Sequence, residues 1–283
     1  MILAQVSKTR VAQVAGRGVA LFLMVVLAVS CLIPFLWMVS VSLMTQFEAF
    51  QYPPRPVPSA SQWDNYLNAM KALPFGRFFL NSVVMTVCIM VGQLFVISTG
   101  AYAFSRLKFP GRDGLFKFYL LFMMLPGVVT LIPGFLILHA MGWVDTFYAL
   151  IVPSLGNIWG MFLLRQYMMT IPESVEDSAR LDGASELTIY SRIILPLSKP
   201  ALTTVTVFTF MGSWKAFQWP LIVTRSLKMR TVEIGVSMFS SQYSSNLPYQ
   251  MAAATVVALP VLVAFFVAQR SMIEGIDLTG GQR

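Results

Sequence analysis

Charge is scarce in this chain of 283 residues: 11% of them are Asp, Glu, Lys or Arg, against about 25% in an ordinary soluble domain. Histidine occurs once, at His139, and cysteine twice, at Cys31 and Cys88. With no CxxC or Cys/His spacing, these residues form no metal-ligand pattern, and both thiols sit inside apolar runs as small hydrophobes. No GxxxxGK[ST] phosphate loop is present. The apolar runs carry no His, Asp or Glu cluster and no nucleophile constellation, so neither catalytic residues nor a membrane-embedded enzyme are expected. Alternation of apolar and polar residues is missing from these runs as well, which argues against barrel strands.

What is present is apolar sequence, 57% of the chain, with a mean hydropathy of +0.70. Several runs of about 20 residues can cross a hydrocarbon layer about 30 Å thick at a helical rise of 1.5 Å per residue. Backbone in lipid must satisfy its own hydrogen bonds, so these runs read as helices. The expected fold class is an all-α integral membrane protein with about six transmembrane helices, over residues 19–43, 82–104, 116–138, 147–167, 201–214 and 251–268. The fifth has an optional extension past Lys215 to Val223. The first run is too long for a signal-peptide core and lacks an A-x-A site, so it reads as a retained span. Pro126 and Pro133 predict a kinked or interrupted third span, and Pro260 a kinked sixth. Residues 44–81 and 224–249 read as outer loops, the former denied regular helix by Pro53, Pro54, Pro56 and Pro58.

Thirteen of the 20 basic residues fall on the side of the amino terminus, including Lys8, Arg10, Arg17, Arg106, Lys108 and Arg112, and seven on the other side. The asymmetry places both termini in the cytoplasm of a bacterial or archaeal cell. The net charge of +8 is spread over short loops without a continuous basic face, so membrane lipid and not nucleic acid is the expected surroundings. Residues 1–18 form a cytoplasmic lead, 19–268 the membrane domain and 269–283 a cytoplasmic tail. Two polar residues lie within spans. Gln93 faces other helices or a pathway, and Asn157 either lines a solute path or bonds a neighbouring helix.

Residues 174–200, SVEDSARLDGASELTIYSRIILPLSKP, hold Glu176, Asp177, Asp182 and Glu186, four of the 12 acidic residues. Ser174 and Asp177 fit a capping box at a helix start, and Glu176 and Arg180 are spaced to pair. Gly183 fits a helix stop. A second short helix is expected from Ser185 to about Ile193, with Pro196 and Pro200 breaking the chain before the fifth span. The segment reads as two short helices outside the membrane.

The spacing has a further content. Asp177-Ser178-Ala179, then Gly183 after three residues and Ile193-x-Leu195-Pro196 after nine more, resembles the EAA loop of ABC importer permeases, EAA-x3-G-x9-I-x-LP. Asp177 and Ser178 stand where the pattern has Glu and Ala. Trp63-Asp64-Asn65-Tyr66, Asn81-Ser82, Ala101-Tyr102-Ala103-Phe104-Ser105-Arg106 and Trp219-Pro220-Leu221 extend the likeness to the maltose-type sugar permeases. Lys215-Ala216 departs from it, since such permeases often have Asn-Asp there, and the tail at Glu274-Gly275-Ile276 lacks the usual ending. The resemblance implies a sugar importer in which this chain pairs with a second permease subunit, two ATPase subunits carry ATP and Mg, and an external solute-binding protein delivers the solute. This chain then binds no cofactor of its own and is not an enzyme. It also implies that Glu176, Asp177, Ser178, Ala179, Arg180, Asp182, Gly183, Ile193, Leu195 and Pro196, within a coupling loop over 172–200, meet the ATPases. By the same resemblance Ser240, Ser241, Gln242, Tyr243, Ser244, Ser245, Asn246, Leu247 and Pro248 reach the binding protein. The same machinery serves anionic solutes such as glycerol phosphate esters or uronate oligosaccharides, and Lys215, Arg225, Lys228 and Arg230 suit either an anion or an acidic binding-protein rim.

Overall fold

The structure, a computed structural model, describes the backbone of residues 2–241 and 246–280 and the side chains of residues 16–240 and 246–269. Among the described residues its regular structure is all helical, without a strand. In chain order the helices are α1 (Ile2–Ser42), α2 (Gln46–Ala49), α3 (Asp64–Ala72), α4 (Phe75–Arg106), α5 (Arg112–Leu121), α6 (Gly127–Ala140), α7 (Phe147–Ile151) and α8 (Ile158–Met169). There follow α9 (Ser174–Leu181), α10 (Glu186–Thr188), α11 (Leu195–Leu197), α12 (Lys199–Trp214), α13 (Gln218–Val223), α14 (Val232–Ser241) and α15 (Leu247–Gly280). Four segments are long and apolar enough to cross a membrane, Gly16–Ser42, Phe75–Arg106, Phe147–Met169 and Leu247–Gln269, and up to six if each of two bent pairs counts as one span.

Proline chemistry explains the bends. The third span is broken by 99° between α5 and α6, at Leu125 and Pro126. Leu125 is extended (φ −78°, ψ 122°), as the ring of a following proline requires. Pro133, expected to contribute a kink or break, lies inside α6, which runs on through it. Pro196 likewise does not break its helix. Glu186–Leu197 is one helical stretch with a π-helical segment over Ile189–Ile194, and Pro196 occupies the first turn of α11. The 76° bend falls at Ser198 instead, whose amide and hydroxyl both donate to the Ile194 carbonyl, at 2.9 and 2.7 Å. Pro200 then opens α12, where its missing N–H costs nothing.

The chain forms two units, Met1–Ala72 with Phe239–Val256, and Leu73–Met238 with Val257–Arg283. In the first, the orphan carbonyls at the end of α1 are taken up by side chains of α3. Asn65 Nδ2 donates to Ser42 O (2.9 Å) and Met44 O (2.8 Å), and Tyr66 Oη pairs with Ser42 Oγ at 2.7 Å. The Trp63–Tyr66 segment therefore has a local structural purpose.

In the second unit α4 begins at Phe75, ahead of the expected residue 82, and its 32 residues extend about 48 Å. That exceeds a hydrocarbon layer about 30 Å thick, and polar contacts tie both ends of α4 to other segments. At one end Asn81 Nδ2 donates to the carbonyls of Lys228 and Arg230, each at 2.8 Å, and Ser82 Oγ accepts from Val232 N at 3.0 Å. These bonds hold the segment that leads into α14, a helix where the sequence reading expected loop. Two apolar clusters flank the middle of α4. One gathers Met85, Ile89, Leu138, Ala149, Leu150 and Val223; the other joins Ile97, Ala101, Leu164, Met168, Ile189 and Val205.

Candidate functional site

The charged segment carries a well-defined helix stop. α9 ends at Leu181, and Gly183 takes a left-handed φ of +81°. Ala184 N–H donates to Ala179 O (2.9 Å) and Gly183 N–H to Arg180 O (3.0 Å), the paired bonds of a Schellman motif. The helix start differs from expectation. Ser174 is the first helical residue and makes no capping box, because Glu173 is itself helical (φ −62°, ψ −27°) and the turn at Pro172–Glu173 supplies the carbonyls that the first amides need. The Asp177 carboxylate is engaged by Arg180 at 3.3 Å instead. Ser185 caps the next helix, accepting from Thr188 N at 3.3 Å.

What fastens this segment is a residue read from the sequence only as part of a basic turn and of the family-like Ala101–Arg106 string. Arg106, the last residue of α4, forms an ion pair with Glu176 at 3.0 Å, and both side chains are buried, 4% and 3% exposed. The guanidinium also donates to the carbonyls of Met168 and Ile171 at the end of α8, the latter at 2.7 Å. In return, Arg165 of α8 donates to Phe104 O of α4 at 3.1 Å. Two helix C-termini are thus closed by each other's arginines, with positive charge where the helix dipoles favour it.

A second tie runs alongside. Tyr102 Oη donates to Glu186 Oε2 (2.7 Å), whose other oxygen takes Arg180 Nε at 3.1 Å, and Arg180 reaches Glu176 at 3.1 Å. The Tyr102 hydroxyl first, and then Arg180, hold the Glu186 carboxyl below its ordinary range, and the bond to Glu186 raises Arg180. A depressed carboxyl stabilises fully above the ordinary carboxylate range and loses that contribution as pH falls through its lowered value, so the tie is intact at neutral pH. Away from these contacts the segment presents apolar side chains outward: Leu181 is 90% exposed and Leu187 73%. Ile193, Leu195 and Pro196 lie on the helical stretch that follows, where Ile193 packs against the cluster of Ile189 and Ile194.

Gln93 and Asn157 meet. Gln93 is buried between the two apolar clusters of α4, donates to Ser154 O at 2.7 Å, and accepts from Asn157 Nδ2 at 3.2 Å and from the Thr209 hydroxyl. The Ser154 carbonyl is freed where the fourth span is interrupted between α7 and α8, and an amide side chain is what satisfies such a group out of reach of water. Asn157 also caps α8, its Oδ1 accepting from Gly160 N at 2.9 Å. Both residues line a cavity of about 230 Å³ together with Ser154, Thr209, Ser213 and Trp219. Asn157 thus bonds a neighbouring helix through Gln93 and also faces this cavity. Asn157→Ala is expected to lower the stability of the purified subunit by about 1 kcal/mol and Asn157→Ser by much less, read as thermal midpoints in detergent. Equal midpoints for wild type and the alanine variant would contradict the cap.

A family model described as "Binding-protein-dependent transport system inner membrane component" matches residues 96–272. The chain belongs to this family. A putative ABC transporter permease of Caldicellulosiruptor sp. (strain Rt8B.4) is 34% identical over 245 residues, 86% of this chain and 89% of that protein. The arabinooligosaccharides transport system permease protein AraQ of Bacillus subtilis (strain 168) is 33% identical, covering 79% of this chain and 80% of its own. The sn-glycerol-3-phosphate transport system permease protein UgpE of Yersinia pestis bv. Antiqua (strain Antiqua) is 32% identical, covering 81% and 84%. Among solved structures, a bacterial ABC transporter involved in the import of the acidic polysaccharide alginate shares the fold, with a TM-score of 0.79 at 24% identity over 89% of this chain and 94% of that one.

The permease is thus a multi-pass inner membrane component of a binding-protein-dependent ABC importer. Of the residues expected to meet a binding protein, Gln242, Tyr243, Ser244 and Ser245 lie outside the described residues. Ser240 is exposed near the end of α14, where Ser241 is the last residue; Asn246 caps α15 through Tyr249 N at 3.2 Å, and Leu247 and Pro248 open that helix. No group of His, Cys, Asp and Glu that could hold a metal occurs among the described residues.

Proposed function

We propose that this permease is one of two permease subunits of an importer that moves a sugar or oligosaccharide across the cytoplasmic membrane by ATP-driven alternating access. The observation that carries the reading is the clasp of Glu176 to Arg106, which joins α9 rigidly to the end of α4 while leaving Leu181 and Leu187 exposed. A helix tied down through Glu176, with Leu181 projecting beside exposed Asp177 and Ser178 and Leu187 on the next helix, suits docking into a groove of an ATPase subunit. In this reading Asp177 to Gly183 form the contact with Glu176 as the inward anchor behind it, Ile193, Leu195 and Pro196 carry the motion into α12, and the loop over residues 172–200 is cytoplasmic together with both termini, 1–18 and 269–283. ATP and Mg belong to the two ATPase subunits, and this chain contributes no catalytic group.

Closure of the ATPases on ATP pushes α9, and the Arg106 clasp converts that push into rotation of α4 and the helices packed on it. A docked partner moves the equilibrium only through contacts that differ between the two states. In the same reading, the segment over residues 240–248 is the one that meets the solute-binding protein. The names of the relatives, an arabinooligosaccharide permease among them, support a carbohydrate solute.

The test is reconstitution of the complete complex in proteoliposomes with its binding protein. ATP-dependent accumulation of labelled arabinotriose, maltotriose, glycerol 3-phosphate or a uronate trisaccharide, with hydrolysis stimulated by the loaded binding protein, is the expected result. ATP hydrolysis that ignores the binding protein, with no solute accumulated, would overturn it.

A further inference from the structure

The fifth span comes apart at Lys215. α12 ends at Trp214, α13 starts at Gln218, and Lys215 lies in the break, not in the outer loop where the basic-residue count had placed it. Its depth follows from the far end of the span. Asp145 N donates to Val223 O at 2.8 Å, and the Asp145 carboxylate accepts from the amides of Arg225 and Ser226 at 2.9 and 3.0 Å. These bonds set the end of α13 level with the turn before α7. Lys215 precedes Val223 by eight residues, of which the six of α13 span roughly 9 Å at the helical rise. Trp219, between them, donates its indole N–H to Ala149 O at 2.9 Å and holds α13 against α7.

Three features of this break bear on a ligand. First, the ammonium is exposed on the subunit and has no ion pair among the described residues. A free cation is unfavourable in hydrocarbon, by about 2.5–3.5 kcal/mol at the bilayer centre and less toward its edges, so this face belongs against water or a partner subunit. Second, Gly212, Ser213 and Ala216, on either side of Lys215 in sequence, line the cavity that also holds Gln93, Asn157 and Thr209. Hydroxyl and amide groups of that kind recognise sugar hydroxyls. Third, Glu233 in the first turn of α14 feels Lys215 electrostatically but is not within ion-pair distance of it.

Arg225, Lys228 and Arg230 are different. Their backbones are tied down by Asp145 or by Asn81 at the level of the outer turns. Of these four basic residues, Lys215 is the one that lies in the break of the fifth span.

We propose that Lys215 is a charge selector on the solute path, an ammonium in the break of the fifth span that attracts the carboxylate or phosphate of an anionic carbohydrate while the neighbouring polar layer meets its hydroxyls. The proposal rests on the importer reading above and narrows its solute class. Solute binding at a discontinuous helix near the membrane interior has a physical basis, because unwound backbone and an unshielded charge are available there together.

The reconstituted complex tests it with Lys215→Gln, Lys215→Arg and Glu233→Gln. Uptake rates are measured at saturating loaded binding protein, so that the binding protein's own preference does not set the result. The wild-type complex is expected to accumulate glycerol 3-phosphate or a uronate trisaccharide; these two arms separate phosphate from carboxylate. Lys215→Gln should lower uptake of the anion at least tenfold and uptake of arabinotriose less than twofold. Lys215→Arg should keep most anion uptake, and Glu233→Gln should not reduce it. An equal loss for anionic and neutral solutes, or no loss for either, overturns the selector. A wild-type complex that imports the neutral trisaccharide alone overturns the selector and leaves carbohydrate import standing, whereas a complex that accumulates none of the probes overturns both.

Discussion

Arg106→Met should abolish ATP-driven uptake. The substitution leaves the Glu176 carboxylate buried at 3% exposure without its charge partner, and removes the donors from the Met168 and Ile171 carbonyls. Breaking one side of a buried pair costs about 3–5 kcal/mol, because the remaining charge keeps its desolvation penalty and loses its compensation. Glu176 also draws on Arg180 at 3.1 Å, which is 40% exposed and replaces only part of the lost attraction. Replacing both members by apolar residues of similar volume, Arg106→Met with Glu176→Leu, is expected to recover much of the thermal midpoint, since a well-packed apolar pair is often neutral against a buried ion pair. Thermal midpoints of the purified subunit and uptake by the reconstituted complex are the two readings. A single variant that matches wild type in both removes Arg106 from the clasp.

Gly183→Pro should uncouple ATP hydrolysis from uptake while the subunit still inserts. Gly183 holds φ at +81°, whereas proline is fixed near −65° and has no N–H for the Arg180 carbonyl. The turn that lets Ala184 reach Ala179 O cannot then close, and α9 loses its end just where Arg180 bridges to Glu186. No atom lies within 4 Å of a side chain added at Gly183, so the penalty is one of backbone conformation and not of crowding. A graded series follows: Gly183→Asn is tolerated best, Gly183→Ala costs about 1–2 kcal/mol for the left-handed backbone, and proline is the most damaging. Stimulated ATP hydrolysis and solute accumulation are measured on the same vesicles. Normal accumulation by the proline variant would sink the lever assignment.

Much of this was legible in the chain. Apolar runs of membrane-crossing length specify helices because a backbone in lipid has no other donor or acceptor to turn to. The residue before Pro126 is extended, and Gly183 ends α9, because those are local steric matters that a few neighbouring residues decide. The local readings failed where tertiary contacts overrode them. Ser174 is passed over as a cap because the preceding turn already supplies carbonyls, and Pro196 is absorbed by a helix that contains a π-helical segment.

The sequence by itself determined a helical membrane protein, its family spacing from Asp177 to Pro196, and a charged segment among apolar runs. Only the tertiary structure decided what that segment is fastened to. Arg106 and Glu176 are 70 residues apart and Gln93 and Thr209 are 116 apart, and no periodicity or local propensity encodes a contact at such separations. Lys215 shows the same limit. In the sequence it is one basic residue among several; the structure sets it in the break between α12 and α13, with the end of α13 held by the Asp145–Val223 bond, a placement that nothing local in the sequence encodes.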